Sequence, residues 1–175
     1  DQPFRMPVQD VYKFTAASDT RRMVVGTVES GSLSVGDEVA FYPSGKRSRV
    51  ASIEIFSAPP KNTITTGEAA AFTLEQQIYI TRGELAVKVG EAEPQVTSRI
   101  RVSLFWMGRQ SIKPGEPYIL KTGTMKIPVE IESIERVMDA SDLSSGSKRE
   151  EIGRHDVAEV VLKKRRAIAF DIAAT

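Results

Sequence analysis

Arg21-Arg-Met-Val-Val-Gly-Thr-Val-Glu-Ser-Gly-Ser-Leu-Ser-Val-Gly-Asp37 is dense in β-structure instructions and carries no obvious catalytic group. Met23, Val24, Val25, Thr27 and Val28 suit a pleated, half-buried strand. Ser30-Gly31 and Gly36-Asp37 supply the small or left-handed-tolerant residues that tight turns need. Leu33 and Val35, two apart, place both apolar side chains on one face of the short segment between those turns. The stretch therefore reads as a hairpin from the wall of a β-barrel.

Working outward, strand-type segments separated by Gly-centred turns run from end to end, and no stretch shows a long helical period. Gly-acid pairs recur at Gly36-Asp37, Gly67-Glu68, Gly83-Glu84 and Gly115-Glu116, each at the entry of an apolar or β-branched segment. Pro59-Pro60 marks a loop. Gly90-Glu-Ala-Glu-Pro-Gln95 is polar and contains Gly and Pro, so it is read as the boundary between two β-rich halves. Beyond it, Ile100, Val102, Leu104 and Trp106 alternate with Arg99, Arg101, Ser103 and Phe105, which predicts a wall strand with Trp106 in the core. Ile127, Val129 and Ile131 share a phase that Ile134 breaks, and a bulge near Ser133 would account for the slip. Asp139 to Arg154 is Ser-, Gly- and charge-rich and reads as a mobile loop with at most a short turn of helix.

Ordered along the chain, these motifs resemble the translation-factor-type GTPases. Gly26-Thr-Val-x-Ser-Gly-x-Leu-x-Val-Gly-Asp37, with Phe4-Arg-Met-Pro-Val-Gln-Asp-Val-Tyr12 before it, looks like the second domain of that superfamily, a small β-barrel. Pro43-Ser-Gly-Lys-Arg47, Gly67-Glu-Ala-Ala-Ala-Phe72 and Ile80-Thr-Arg-Gly-Glu84 follow in the family's order. Leu104-Phe-Trp106, Gly115, Tyr118, Leu120, Gly123-Thr124, Asp156-Val-Ala-Glu-Val-Val-Leu162 and Ile168-Ala-Phe-Asp171 fit its third domain. Phe-Arg-Met-Pro-Val-Gln, Pro-Ser-Gly-Lys and Ile-Tyr-Ile-Thr-Arg-Gly-Glu look most like the GTPase subunit of sulfate adenylyltransferase, which is sometimes fused to an adenylylsulfate kinase domain. The resemblance implies an all-β fold of two consecutive antiparallel β-barrels like domains 2 and 3 of elongation factor Tu. They would occupy residues 1–92 and 93–175.

The nucleotide-binding signals of that superfamily do not occur in these residues. No Gly-x-x-x-x-Gly-Lys-Ser/Thr is present to wrap phosphates in backbone N–H groups; Ser44-Gly45-Lys46 comes near, but Ala40 stands where the first glycine belongs. No Asn-Lys-x-Asp occurs for guanine. The chain begins at Asp1, and the expectation is a segment of a longer or processed protein. GTP and magnesium are expected in a GTP-binding domain outside these residues, with no cofactor or metal held here. The partners implied are that domain, the small catalytic sulfate adenylyltransferase subunit and a fused kinase domain. The barrels would relay nucleotide state to the partner subunit. Two other readings stay open: barrels that carry aminoacyl-tRNA in an elongation factor, and a free-standing protein-interaction module.

Composition bounds these readings. Residues 1–92 hold 10 Lys+Arg against 11 Asp+Glu, and residues 93–175 hold 14 against 12, a balance that argues against a general nucleic-acid binder. Zero cysteines exclude disulfides and thiolate metal sites, and suit a cytoplasmic protein. With one histidine, a zinc site is not expected. No apolar run approaches a membrane span.

The remaining candidates are contact residues. His155 beside Asp156 invites an acid–base reading, but no nucleophile pattern accompanies it, and it reads as a polar strand-entry residue where the family usually carries asparagine. Glu130, Glu132 and Glu135 read as a polar strand face opposite Ile131. Lys163, Lys164, Arg165 and Arg166 form the densest basic cluster, read as a solvated hairpin between Val160–Leu162 and Ile168–Phe170, or a site for phosphate, RNA or an acidic partner. Lys46 and Arg47, with Arg49, form a second cluster on a solvent-facing strand or a partner contact, and Arg82 and Gly83 lie in a turn suited to inter-domain contact.

Overall fold

A computed structural model describes residues 2–13, 21–55, 59, 61–122, 125–139, 142–147 and 149–171. Pro60 and parts of the Asp139–Arg154 segment lie outside the described residues. The chain divides into two compact units, the first built from residues 1–96 with 123–125 and 168–175, the second from 97–122 and 126–167.

In the first unit, strands β1 (Arg5–Lys13), β2 (Arg22–Thr27), β4 (Glu38–Tyr42), β5 (Lys46–Ile55), β7 (Ala69–Leu74) and β8 (Leu85–Lys88) close into a barrel of order β1-β2-β7-β5-β4-β8. The short strands β3 (Ser32–Ser34) and β6 (Thr63–Thr65) pair separately with each other. Closure removes the unpaired edges that an open sheet would present. Period-two alternation fills the inside: Met6 and Val8 are buried on β1, and Ser48 and Val50 on β5, while Arg47 and Arg49 between and before them face solvent. Phe41 and Phe72 stack across the core at 6.4 Å, and both are fully buried. Each such side chain stabilises the fold by roughly 1.5–3 kcal/mol.

The Arg21–Asp37 stretch is not a hairpin closed on itself. β2 pairs with β1 and β7, through Val8↔Gly26 and Val24↔Phe72, whereas β3 pairs with β6 through Leu33↔Ile64. The reason lies in the backbone between them. Val28 N–H donates to Glu68 O, Glu29 N–H to Arg5 O, and Arg5 N–H to Ser30 O, so distant segments take the groups that a local hairpin would use.

The second unit contains most of β9 (Gln95–Phe105), with β10 (Pro117–Thr122), most of β11 (Met125–Asp139), β12 (Asp142–Ser147) and most of β13 (Asp156–Phe170). These five form one sheet of order β10-β11-β13-β9, with β12 on β11. Its core gathers Val129, Ile131, Ile134, Val137, Ala158, Val160 and Leu162, with Ile100, Val102, Leu104 and Trp106 packed against it as their alternation predicts. The pairing of β11 with β13 slips between Ile131 and Ser133, the bulge that returns Ile134 to the inner face.

Two loop expectations are corrected. Residues 142–147 form β12, antiparallel to β11 through Val137↔Ser147 and Asp139↔Asp142, because pairing uses backbone groups that polar side chains do not remove. Residues 163–166 do not turn. β13 runs unbroken, with Leu162 opposite Ile131 and Lys163 opposite Glu130, and no Gly, Pro or Asn occurs within it to bend the chain. Alternation then points Lys163 outward and Lys164 onto the buried face, where it is 8% exposed. The side chains of Arg165 and Arg166 lie outside the described residues.

One turn recurs through both units. In Ser34–Asp37, Thr65–Glu68 and Thr81–Glu84 the fourth residue's carboxylate accepts the first residue's N–H, at 2.8, 2.8 and 2.9 Å. Its own N–H donates back to the first carbonyl at 3.0, 3.1 and 3.3 Å. Gly36, Gly67 and Gly83 occupy the third position at φ of 89°, 87° and 94°, a region that glycine enters without penalty. Gly153–Asp156 repeats the same bonds, at 2.7 Å to the carboxylate and 3.2 Å through the backbone. There the third residue is His155, with φ of 70°. The turn geometry, not catalysis, explains this residue's conformation.

His155→Gly is expected to raise the unfolding free energy by about 1 kcal/mol in urea titrations, because a left-handed conformation penalises a residue with a Cβ. The lost stack on half-exposed Phe105, 6.2 Å away, only partly offsets the gain. Burial pushes the Lys164 ammonium below its ordinary value of 10.5. Between the lowered value and 10.5 the unfolded chain holds a proton that the folded chain has released, so stability climbs with pH across that window. Lys164→Met should therefore be more stable than the parent by about 1 kcal/mol at neutral pH. Unfolding measured at pH 7 and near pH 10 should show that advantage narrowing.

Candidate interaction surfaces

The groups that invited acid–base chemistry are occupied structurally. Asp156 accepts from Gly153 N–H at 2.7 Å and from Arg149 at 3.3 Å, while the His155 ring lies over Phe105. Glu132 pairs with Arg99 at 2.5 Å, and the Glu135 carboxylate accepts from the Ser133 hydroxyl at 2.7 Å. Among the described residues no group of three or more His, Asp or Glu side chains is placed to hold a metal. A cleft of about 720 Å³ in the second unit is lined by Lys113, Ser133, Ile134, Arg149, Glu150 and Glu151. Its charges are partly matched, Lys113 lying 3.8 Å from Glu151.

The capping carboxylates differ in what else they bind. Asp37 also takes Lys88 at 2.8 Å, Glu68 takes Lys61 at 2.5 Å, and Asp156 takes Arg149. The Lys61 hydrogen bond is the chief reason that the Glu68 carboxyl sits below its ordinary value. Glu84, in the Arg82–Gly83 turn, is different: its Oε1 is buried without a hydrogen-bond partner among the described residues. Gly83 in the same turn is hemmed in, since a Cβ there would lie 2.7 Å from Met125 Cγ. Arg82 is exposed beside it.

The basic candidates do not share one place in the fold. Lys163 faces solvent on β13 and Lys164 is buried on the same strand. Arg47 lies 3.9 Å from Glu93. Lys46 stands apart from it, its Nζ donating to Tyr79 O at 2.6 Å and lying 5.3 Å from the centre of the Tyr79 ring. From β2, the Arg22 guanidinium approaches the same ring, also at 5.3 Å. Tyr79 is 64% exposed. Tyr79 and Arg22 are not among the contact candidates that the sequence suggests; the signal it offers is Tyr79 standing between Ile78, packed against the core, and buried Ile80.

Residues 99–175 match the GTP-eEF1A C-terminal domain-like family. Sulfate adenylyltransferase subunit 1 of Shewanella oneidensis is 34% identical over 173 residues, covering 97% of this chain and 35% of that protein. The same-named protein of Teredinibacter turnerae is 32% identical over 168 residues, covering 96% and 35%. The chain thus spans about a third of the length of these relatives. In three dimensions it is similar to Sup35 complexed with GDP, at a TM-score of 0.84 and 15% identity over 96% of this chain and 40% of that one. Sup35 complexed with GMPPNP gives 0.79 at 14% identity, over the same shares. No helix among the described residues is long and apolar enough to cross a membrane. Residues 99–175 thus match the GTP-eEF1A C-terminal domain-like family, and nearly the whole chain is similar to part of sulfate adenylyltransferase subunit 1 and shares an all-β fold with part of Sup35.

Proposed function

We propose that this chain is the non-catalytic β-region of a GTPase subunit of sulfate adenylyltransferase, and that it transmits the nucleotide state of a GTP-binding domain to a partner subunit. The observation that carries the reading is the 34% identity to a sulfate adenylyltransferase subunit 1 across 97% of the chain, which takes in both units. A likeness of fold alone would not distinguish this subfamily from elongation factors. In this reading GTP and magnesium are held by residues outside the chain, and sulfate activation takes place on the partner. The physical role is that of rigid bodies whose arrangement is biased by ligand contacts made elsewhere. A closed barrel with capped turns suits it, because a stiff body passes on a displacement that a soft one would absorb.

The test is association of the 175-residue chain with the small catalytic sulfate adenylyltransferase subunit, measured by isothermal titration calorimetry. A saturable complex is expected. No heat of binding from a chain whose circular dichroism shows intact β-structure would overturn the docking role.

A further inference from the structure

Five cations of the first unit are paired with acids. Arg5 binds Asp171, Arg47 faces Glu93, Arg49 faces Glu75, Lys61 binds Glu68 and Lys88 binds Asp37. Lys13, Arg22 and Lys46 break this pattern. Among the described residues, none of the three has a carboxylate within ion-pair distance. They are also brought together. Lys13 and Arg22 are register partners across β1 and β2, so their side chains leave the same face of the sheet as neighbours. Arg22 and Lys46 both reach the Tyr79 ring, at 5.3 Å each. Like charges directly opposite one another in a sheet are unfavourable unless an anion lies beside them.

We propose that Lys13, Arg22, Lys46 and the exposed ring of Tyr79 form a docking surface for an acidic segment of a partner protein. The geometry favours a protein segment over a small phosphate, because the groups line no cleft that would enclose one. Tyr79 is 64% exposed, and the 720 Å³ cleft is lined by none of these residues. It favours protein over nucleic acid because the formal net charge of the chain is only +1, without the basic surplus that extended phosphate contact requires. Tyr and Arg are the side chains that most often anchor protein interfaces, one through rigid area and the other through its planar donor fork. The carboxylates would pair with the cations at the rim while the partner's backbone or side chains cover the ring. The surface stands independently of the sulfate adenylyltransferase reading, since it rests on charge pairing within the first unit.

The experiment is a nuclear magnetic resonance titration of the whole isotope-labelled chain with acetylated hexaglutamate, and in parallel with hexauridylate and inorganic phosphate. Hexaglutamate should move the amide resonances of Lys13, Arg22, Lys46 and Tyr79, with an affinity that falls as salt rises. Arg22→Gln/Lys46→Gln should weaken binding by about tenfold, two exposed pairs being lost. Tyr79→Ala should weaken it less, with both variants unchanged in circular dichroism. Shifts centred elsewhere, or an affinity unchanged in the double variant, would overturn the proposal. So would tighter binding of hexauridylate or equal binding of phosphate at these residues. Concentration-dependent shifts of the same resonances without any peptide would assign the face to a second copy of the chain, and would overturn it too.

Discussion

A carboxylate that accepts the N–H three residues before it is the constraint on which much of this architecture turns. Two hydrogen bonds close each of the four turns, and the third residue must take a positive φ to let them form. The acid satisfies an N–H that would otherwise lose its water as the turn packs against the barrel. The glycine supplies the backbone angle, and the two requirements together produce the Gly-acid pairs at 36–37, 67–68 and 83–84. In the second unit the acid is kept at Asp156 and the angle is kept, but the glycine is replaced by His155. That a non-glycine residue holds φ of 70° there shows that the bonds around it outweigh the steric cost. They include His155 N–H to Trp106 O at 2.7 Å.

Arg5 extends the same logic from turns to the joining of distant segments. Its side chain is 4% exposed, and three of its contacts are charge-assisted or short: Asp171 at 2.8 and 3.0 Å, and Ala92 O at 2.7 Å. Its backbone pairs with Glu29 and Ser30. One residue thus ties β1 to the chain after β2, to the chain after β8 and to the end of β13, all within the first unit. Burying a guanidinium costs solvation, and the geometry is rewarded because each of its three nitrogens meets an acceptor. Removing Asp171 alone would leave part of that fork unpaired, whereas replacing both partners would not.

What the sequence disclosed follows from which interactions are local. The strand character of Met23–Val28, the inward parity of Ile100, Val102, Leu104 and Trp106, and the bulge near Ser133 are written in neighbouring residues and are legible there. The partners of β2 are not, because Gly26 meets Val8 and Ala70, far away in sequence. Leu33 likewise meets Ile64. Four consecutive basic residues suggest solvent, yet a strand imposes period two on any sequence laid along it, and Lys164 goes inward. The Tyr79 platform was hidden for the same reason, since it draws on β2, β5 and the segment before β8.

The persistence of this fold at 15% identity to Sup35 bears on where function lies. Capped turns, alternating cores and a closed barrel can be met by many sequences, so residues serving those ends say little about what the chain binds. Side chains left over after those needs are met say more. In the first unit Asp37, Glu68, Asp171 and their cations are consumed by turns and clasps. Lys13, Arg22, Lys46 and exposed Tyr79 are among those that remain, and neither core packing nor turn closure requires them to share one face. Tyr79 holds Arg22 and Lys46 in place, but like charges set side by side with no carboxylate within ion-pair distance among the described residues gain most from an anion bound beside them.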